Sequence, residues 1–201
     1  MKTIAILASG NGTNAENIVR AIQKGKVKAK LAFIFSNKTD AKVLDRARKL
    51  KAPYVAFEVK EFKSRQEYEK TLLALLRKEK VDVIVLAGYM LLLGDDFVRT
   101  YKNRILNIHP SLLPAFKGTH AIQDAYSYGV RVSGVTVHFV EPALDSGPII
   151  LQKEVPLRNG EKLKDFEKRI HEVEYELYPR ALKLVLEGKC WVKGRTVIIK
   201  D

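Results

Sequence analysis

"TIAILASGNGTNAENIVRAI", residues 3–22, decides the fold. "TIAIL", 3–7, is an unbroken apolar run with branched side chains, the pattern of a buried strand. "SGNGTN", 9–14, follows as a loop of small residues. Ala15, Ile18, Val19 and Ile22 then recur at helical spacing, and Thr13 with Glu16 forms a capping-box pattern. Glycines between a strand and a helix allow tight turns and expose backbone N–H groups, while the helix start adds a field that favours an anion. Ala15 stands where the dinucleotide fingerprint has its third glycine, and the loop lacks the lysine of a Walker loop. A single phosphate therefore suits it better than a pyrophosphate; the bland alternative is a plain strand-to-helix turn.

The alternation continues. "LAFIF", 31–35, reads as a strand, 40–50 as a basic helix and "YVAF", 54–57, as a short strand. Ser64 and Glu67 fit the start of a helix whose apolar face is Tyr68, Leu72, Leu75 and Leu76. "VDVIVLAG", 81–88, is the strongest central strand, followed by a short helix at "GDDFVRTY" and a strand at "RILNI". Strands alternating with such helices predict an α/β fold with a doubly wound, mostly parallel sheet. The pattern then changes. Residues 119–128 read as helix, with Thr119 as its cap. "VSGVTVHFV", 132–140, and "PIILQKEV", 148–155, read as strands joined by the turn-like "EPALDSG", which predicts a mixed C-terminal edge. Residues 161–187 form one or two helices interrupted near Pro179, and "CWVKGRTVII", 190–199, a terminal hairpin. Without a repeat or a low-complexity linker, 1–201 reads as one domain.

Composition narrows the class. The chain has 201 residues, 46% of them apolar, which suits an ordered core. Its one cysteine, Cys190, excludes a disulfide framework and fits a reducing compartment. "MKTIAILASG" is interrupted too early for a signal peptide, and no stretch approaches the roughly 20 apolar residues of a membrane span. The expectation is a cytoplasmic protein with no membrane partner. The net charge is +13, and residues 20–51 carry eleven Lys or Arg against two acids. That excess fits nucleic acid, an acidic small substrate or a Lys/Glu-rich surface. No arginine-rich tail, paired-cysteine finger or aromatic-interleaved basic motif accompanies it, so no specific nucleic acid is expected. Four histidines without a dense acid or cysteine cluster predict no metal site.

Chemistry-bearing residues concentrate after residue 106. In "NIHPSLLPAFKG", 107–118, Asn107 and His109 are two apart and share one side of a strand. They fall at its C-terminal end, where doubly wound folds place ligands. Asn107 is suited to donate to a developing oxyanion and His109 to move or lend a proton. The same pair would equally serve as loop residues satisfying backbone groups. Asp145, in "EPALDSGPI", is suited to favour the charged form of a histidine, or to be a turn aspartate; spacing alone does not bring it beside His109. His138 alternates with Val135, Val137 and Phe139 and reads as a half-buried strand residue. His171 and Glu174 share a helix face and read from periodicity as surface groups. Cys190 reads as a core or subsurface residue.

Together these stretches resemble the phosphoribosylglycinamide formyltransferase family. "SGNGTN", "FSN", "LAGYM", "NIHPSLLPAFKG" and "LDSGPII" stand in that family's order with its usual gaps, over nearly the whole chain. The resemblance implies a Rossmann-type formyltransferase architecture. Within one catalytic domain, 1–100 would be the nucleotide phosphate-binding half, 101–187 the catalytic and folate-binding half, and 188–201 a terminal hairpin. It implies transfer of the formyl group of 10-formyltetrahydrofolate, a co-substrate, to the amine of 5'-phosphoribosylglycinamide in de novo purine (IMP) biosynthesis, without a metal. It carries the phosphate contacts onto Asn11, Gly12, Thr13 and Asn14, the catalytic trio onto Asn107, His109 and Asp145, and a contact near the ribose or glycinamide onto Glu174. It places folate near Arg65, Tyr89, Met90, Leu91, Leu92, Leu93, Asn107, Glu141, Pro142, Ala143, Leu144 and Asp145. Leu91 stands where familiar members often have arginine, so any contact of that side chain is lost. The resemblance implies a monomer or homodimer. The nearest alternatives are another folate-dependent formyltransferase, such as the methionyl-tRNA enzyme with its added C-terminal barrel, and formyltetrahydrofolate hydrolase with its added N-terminal domain. Neither extra domain is expected here. The alternative of another class is a noncatalytic phosphometabolite- or nucleic-acid-binding domain.

Overall fold

Strand and helix alternate as the apolar pattern requires, in the computed structural model, which describes residues 1–200. The order is β1 (Thr3–Leu7), α1 (Thr13–Gln23), β2 (Lys30–Ser36), α2 (Lys42–Lys49), β3 (Tyr54–Ala56), α3 (Arg65–Lys78), β4 (Val83–Leu86), α4 (Asp95–Thr100) and β5 (Ile105–His109). Then follow α5 (Ala121–Tyr128), β6 (Val132–Phe139), β7 (Ile149–Pro156), α6 (Leu163–Leu186), β8 (Cys190–Lys193) and β9 (Thr196–Ile199). The main sheet has seven strands in the order β3-β2-β1-β4-β5-β6-β7, with β8 and β9 a separate pair. The chain groups into two compact units, Met1–Leu106 and Asn107 onward, with the boundary inside β5.

In the first unit β1 pairs in parallel with both β2 and β4, and β2 in parallel with β3. Ile4, Ile6, Leu7, Ile18, Ile34, Phe35, Leu72 and Leu76 are fully buried. Each such side chain contributes about 1.5–3 kcal/mol relative to exposure. Ser64 caps α3 by accepting a hydrogen bond from Glu67 N, as expected. The capping box expected at Thr13 is absent. Gly12 is the N-cap residue of α1, in the left-handed region at φ 75°, and no side chain caps the helix. Thr13 is already helical, so its hydroxyl is one position too late to cap.

In the second unit β6 and β7 are antiparallel, the mixed edge that the sequence predicts. Val137 pairs with Leu151, but His138 pairs with Ile149, so one extra residue on β7 interrupts the ladder. Helix α6 packs on both strands. It is one continuous helix of 24 residues with Pro179 inside it, not a broken pair. Phe166, Ile170, Tyr178, Ala181 and Leu182 are buried along it on both sides of the proline, and this packing offsets the lost backbone hydrogen bond. Helix α5 begins at Ala121 after His120, without a side-chain cap, so Thr119 does not cap it. The terminal hairpin forms over Cys190–Ile199, and residue 201 lies outside the described residues. Among the described residues, no helix is long and apolar enough to cross a membrane.

Candidate active site

The glycine loop leaves β1 through Ala8 and Ser9, whose N–H groups donate to Phe35 O and Gly88 O at 2.9 Å each. Ser9 Oγ donates to Asn37 Oδ1 at 2.6 Å and accepts from Met90 N at 2.8 Å. One hydroxyl thus joins three of the stretches singled out in the sequence: "SGNGTN", "FSN" and "LAGYM". The N-cap residue of α1 is a glycine, with no side chain to cap the helix start, where the N–H groups and the helix dipole favour an anion. The left-handed backbone at Gly12 disfavours any side chain, and a Cβ there would come within 2.4 Å of Val43 Cγ2.

Residues 89–93 form the other loop of this unit. The Tyr89 hydroxyl lies 2.7 Å from that of Tyr68, and burial pushes the Tyr89 phenol well above its ordinary range. Met90 and Leu92 are 62% and 59% exposed, while Leu91 and Leu93 are half-buried. Arg65 begins α3 and bonds to Glu69 Oε1 at 3.2 Å; that same oxygen accepts from Gly94 N at 3.0 Å.

The second unit assembles Asn107, His109 and Asp145, although 36 residues separate the last two. His109 Nδ1 lies 3.4 Å from Asp145 Oδ2, with side chains only 5% and 7% exposed. His109 Nε2 lies 2.8 Å from Phe116 O. A carbonyl only accepts, so Nε2 carries hydrogen, and each ring nitrogen faces an acceptor. Asp145 Oδ2 also accepts from Gly118 N at 3.0 Å. The loop after β5 thereby touches both groups. Phe116 and Asp145 both have positive φ, 49° and 46°, a backbone region that costs energy for a residue other than glycine.

Hydrogen bonds from β6 and β7 anchor that loop. Thr136 Oγ1 donates to Ser111 O at 2.7 Å and accepts from Leu113 N at 3.1 Å and Gln152 Nε2 at 2.9 Å. Gln152 also donates to Leu113 O at 3.0 Å, and Ser111 Oγ to Ala115 O at 2.5 Å. Strands β6 and β7 therefore hold the chain immediately after the two candidate catalytic residues.

His138 joins the trio, which corrects its reading as a half-buried strand residue. It is 2% exposed. Its Nδ1 donates to Phe139 O at 2.7 Å, and its Nε2 lies 3.3 Å from Asn107 Nδ2 and 3.8 Å from Asp145 Oδ1. Burial is the largest influence and holds its pKa below the ordinary histidine value, outweighing the Phe139 carbonyl and Asp145. A neutral ring with hydrogen on Nδ1 leaves Nε2 as an acceptor facing the Asn107 amide. The strand pattern implied one wet face, but β6 is buried on both from Ser133 to Phe139. The informative signal was a polar residue inside such an apolar strand.

Glu174 belongs to a separate cluster on α6. It is buried at 4% exposure, which overturns its periodicity reading as a surface group, and its Oε2 lies 2.8 Å from His171 Nδ1. That carboxylate raises the His171 pKa, against the lesser opposing effect of burial. Glu141, Pro142, Ala143 and Leu144 are exposed in the β6–β7 connection, with Glu141 3.4 Å from Arg195. Cys190 is half-buried, consistent with a subsurface residue. Among the described residues, no cluster of His, Cys, Asp and Glu could hold a metal ion.

A mostly parallel α/β sheet with a glycine loop after its first strand, and an Asn-His pair at the end of its fifth beside Asp145, is the arrangement whose class the comparison with known proteins identifies. The chain belongs to the formyl transferase family, whose model matches residues 2–182. It is 42% identical to the phosphoribosylglycinamide formyltransferase of Bacillus subtilis over 186 residues, covering 92% of this chain and 95% of that protein. It is 41% identical to the enzyme of the same name from Haemophilus influenzae, covering 96% and 91%. Among solved structures, glycinamide ribonucleotide transformylase 1 from Symbiobacterium toebii superposes with a TM-score of 0.96 at 40% identity, covering 100% of this chain and 95% of that one.

Proposed function

We propose that this chain transfers the formyl group of 10-formyltetrahydrofolate to the amine of 5'-phosphoribosylglycinamide, giving the N-formyl product and tetrahydrofolate in de novo purine biosynthesis. The observation that carries the reading is the assembly of Asn107, His109 and Asp145, in a chain more than 40% identical to enzymes named for this substrate. The amine nitrogen attacks the formyl carbon. A tetrahedral oxyanion forms, the carbon–N10 bond breaks, and the proton lost by the amine is gained by N10. The Asn107 amide and the His109 N–H donate to the oxyanion. The Asp145 carboxylate stabilises positive charge on His109 and assists the proton's passage. The His109 N–H that would meet the oxyanion is the one given to Phe116 O in this structure, so substrate takes the place of that carbonyl. Both substrates react directly, without a covalent enzyme intermediate or a metal.

In this reading, Asn11, Gly12, Thr13 and Asn14 hold the phosphate, Glu174 meets the ribose or glycinamide, and Arg65, residues 89–93 and residues 141–145 serve the folate. The match of one family model across 2–182 supports a single catalytic domain. The protein works in the cytoplasm as a monomer or homodimer, and its basic surface attracts anionic substrates without specific nucleic-acid binding. The deciding experiment is a formyl-transfer assay with phosphoribosylglycinamide and 10-formyltetrahydrofolate, with mass-spectrometric identification of the product. No formylated nucleotide from folded protein at saturating substrates would overturn the reading.

A further inference from the structure

Helix α2 grips the glycine loop at three consecutive residues. Val43 N donates to Gly10 O at 3.1 Å. The Val43 side chain fills the place where a Gly12 Cβ would stand. Between these two points the Arg46 guanidinium takes both oxygens of Asn11: Nε donates to the backbone O at 2.6 Å and Nη2 to Oδ1 at 2.9 Å. Its remaining arm bonds to Glu16 Oε2, while Arg20 Nε holds Glu16 Oε1 at 2.9 Å.

We propose that Arg46 is a positioning residue for the nucleotide phosphate: it aims the glycine loop without touching the ligand. This rests on the reading of residues 11–14 as the phosphate loop. In a trans peptide, C=O and N–H point to opposite sides of one plane. By holding Asn11 O, Arg46 directs the Gly12 N–H away from itself, toward the opposite side of the loop. The helix start adds its own N–H groups, and Gly12 allows the turn between them. Arg46 has a second effect. Glu16 sits in the first turn of α1, where an unopposed carboxylate would repel a bound phosphate. Arg46 neutralises it, and this hydrogen bond is the largest cause of a Glu16 pKa below the ordinary carboxylate value. The Arg46 side chain is about one-third exposed at the surface, so its replacement leaves no buried cavity. Lysine can replace its charge but not its fork.

The test is Arg46→Met, with Arg46→Lys and Gly12→Val beside it, in the full chain. Loss of the anchoring hydrogen bonds should weaken phosphoribosylglycinamide binding about ten- to thirtyfold for Arg46→Met. Folate affinity and the single-turnover rate at saturation should stay within about twofold of wild type, because catalysis once bound does not draw on this anchor. Hydrogen exchange at the Gly12 and Thr13 amides should accelerate. The slope of nucleotide affinity against salt should fall only slightly, through the unopposed Glu16, and by less than loss of a direct phosphate contact would cause. Arg46→Lys should recover only part of the affinity. Wild-type nucleotide affinity in Arg46→Met alongside weak binding in folded Gly12→Val would overturn the positioning role and leave the phosphate loop standing. Wild-type affinity in both would overturn the loop assignment itself. Weaker binding with a strongly reduced salt slope and unchanged Gly12 and Thr13 exchange would make Arg46 a direct ligand and overturn the proposal. If Arg46→Met fails to fold, full nucleotide affinity in Arg46→Lys overturns it equally, because charge alone would then suffice.

Discussion

The Asn107 side-chain amide faces the Nε2 lone pair of His138 at 3.3 Å, while the other nitrogen of that ring is committed to Phe139 O. The histidine thereby decides which end of the amide points where. Its neutral form turns the Asn107 NH2 group inward, and a protonated ring would oppose it. His138→Leu removes the acceptor and frees the amide to rotate. We expect single-turnover formyl transfer to slow about ten- to a hundredfold, the worth of roughly 1.5–3 kcal/mol of oriented hydrogen bonding. His138→Gln keeps an acceptor and should lose less. Equal rates for wild type and folded His138→Leu would refute the orienting role.

Asp145→Asn keeps the shape of the side chain but removes the charge beside His109. The chemical step should slow about a hundredfold or more, with both substrate affinities changing far less. Asn107→Ala should fall in the same range through loss of an oxyanion donor. Stopped-flow single-turnover rates at saturation, with binding measured separately, isolate this step. If both folded variants react at the wild-type rate, the catalytic centre is misplaced. If only Asp145→Asn is silent, its proton role alone is wrong.

Two histidines make stability depend on pH in opposite senses. The His171 pKa is raised by Glu174, so its stabilisation is complete below the unfolded histidine value of about 6.5 and is lost as pH rises through the raised value. The His138 pKa is lowered by burial, so its contribution is present above about 6.5 and is lost as pH falls through the lowered value. The Tm gap between wild type and His171→Gln should therefore shrink from about pH 6 to about pH 9. The gap for His138→Gln should grow as the pH rises from acid toward neutral. Thermal melts across that range measure both, and a pH-independent gap for His171→Gln would break the link to Glu174.

Gly147 closes the connection that carries Asp145. A Cβ there would stand 1.8 Å from Phe139 O and 2.7 Å from Phe139 C, both backbone atoms that cannot swing aside. Gly147→Ala should cost about 1–3 kcal/mol of stability, a Tm drop of several degrees in a chain of this size. It should also slow formyl transfer by displacing Asp145. A Tm equal to wild type would mean the connection yields more easily than this geometry allows.

The alternating fold was legible because β1 and β4 are buried strands whose apolar runs have few other readings. The same logic placed Asn107 and His109 on one strand end. Asp145 was invisible to spacing, since its approach to His109 depends on how β6 and β7 pair, and only the family resemblance supplied it. Alternation points to a half-buried His138 because it assumes one wet face, whereas β6 is buried on both from Ser133 to Phe139. In the sequence Arg46 is one cation among many in a basic helix, because its partners stand 30 and 35 residues away. Pro179 suggested a break that packing along α6 overrides.

The irregular pairing at His138 has a consequence for how this chain can change over time. Side chains of a strand alternate in direction, so the facing of each residue depends on whether an odd or even number of positions separates it from a fixed point. The extra residue on β7 shifts that count by one just where His138 lies. Deleting Ile150 would remove the extra residue and leave every pair in place, whereas an insertion or deletion elsewhere along β7 would move all partners beyond it by a step. Insertions and deletions near this edge are therefore filtered by parity as much as by chemistry: a graft of different length can keep every catalytic residue and still turn the wrong face toward Asn107.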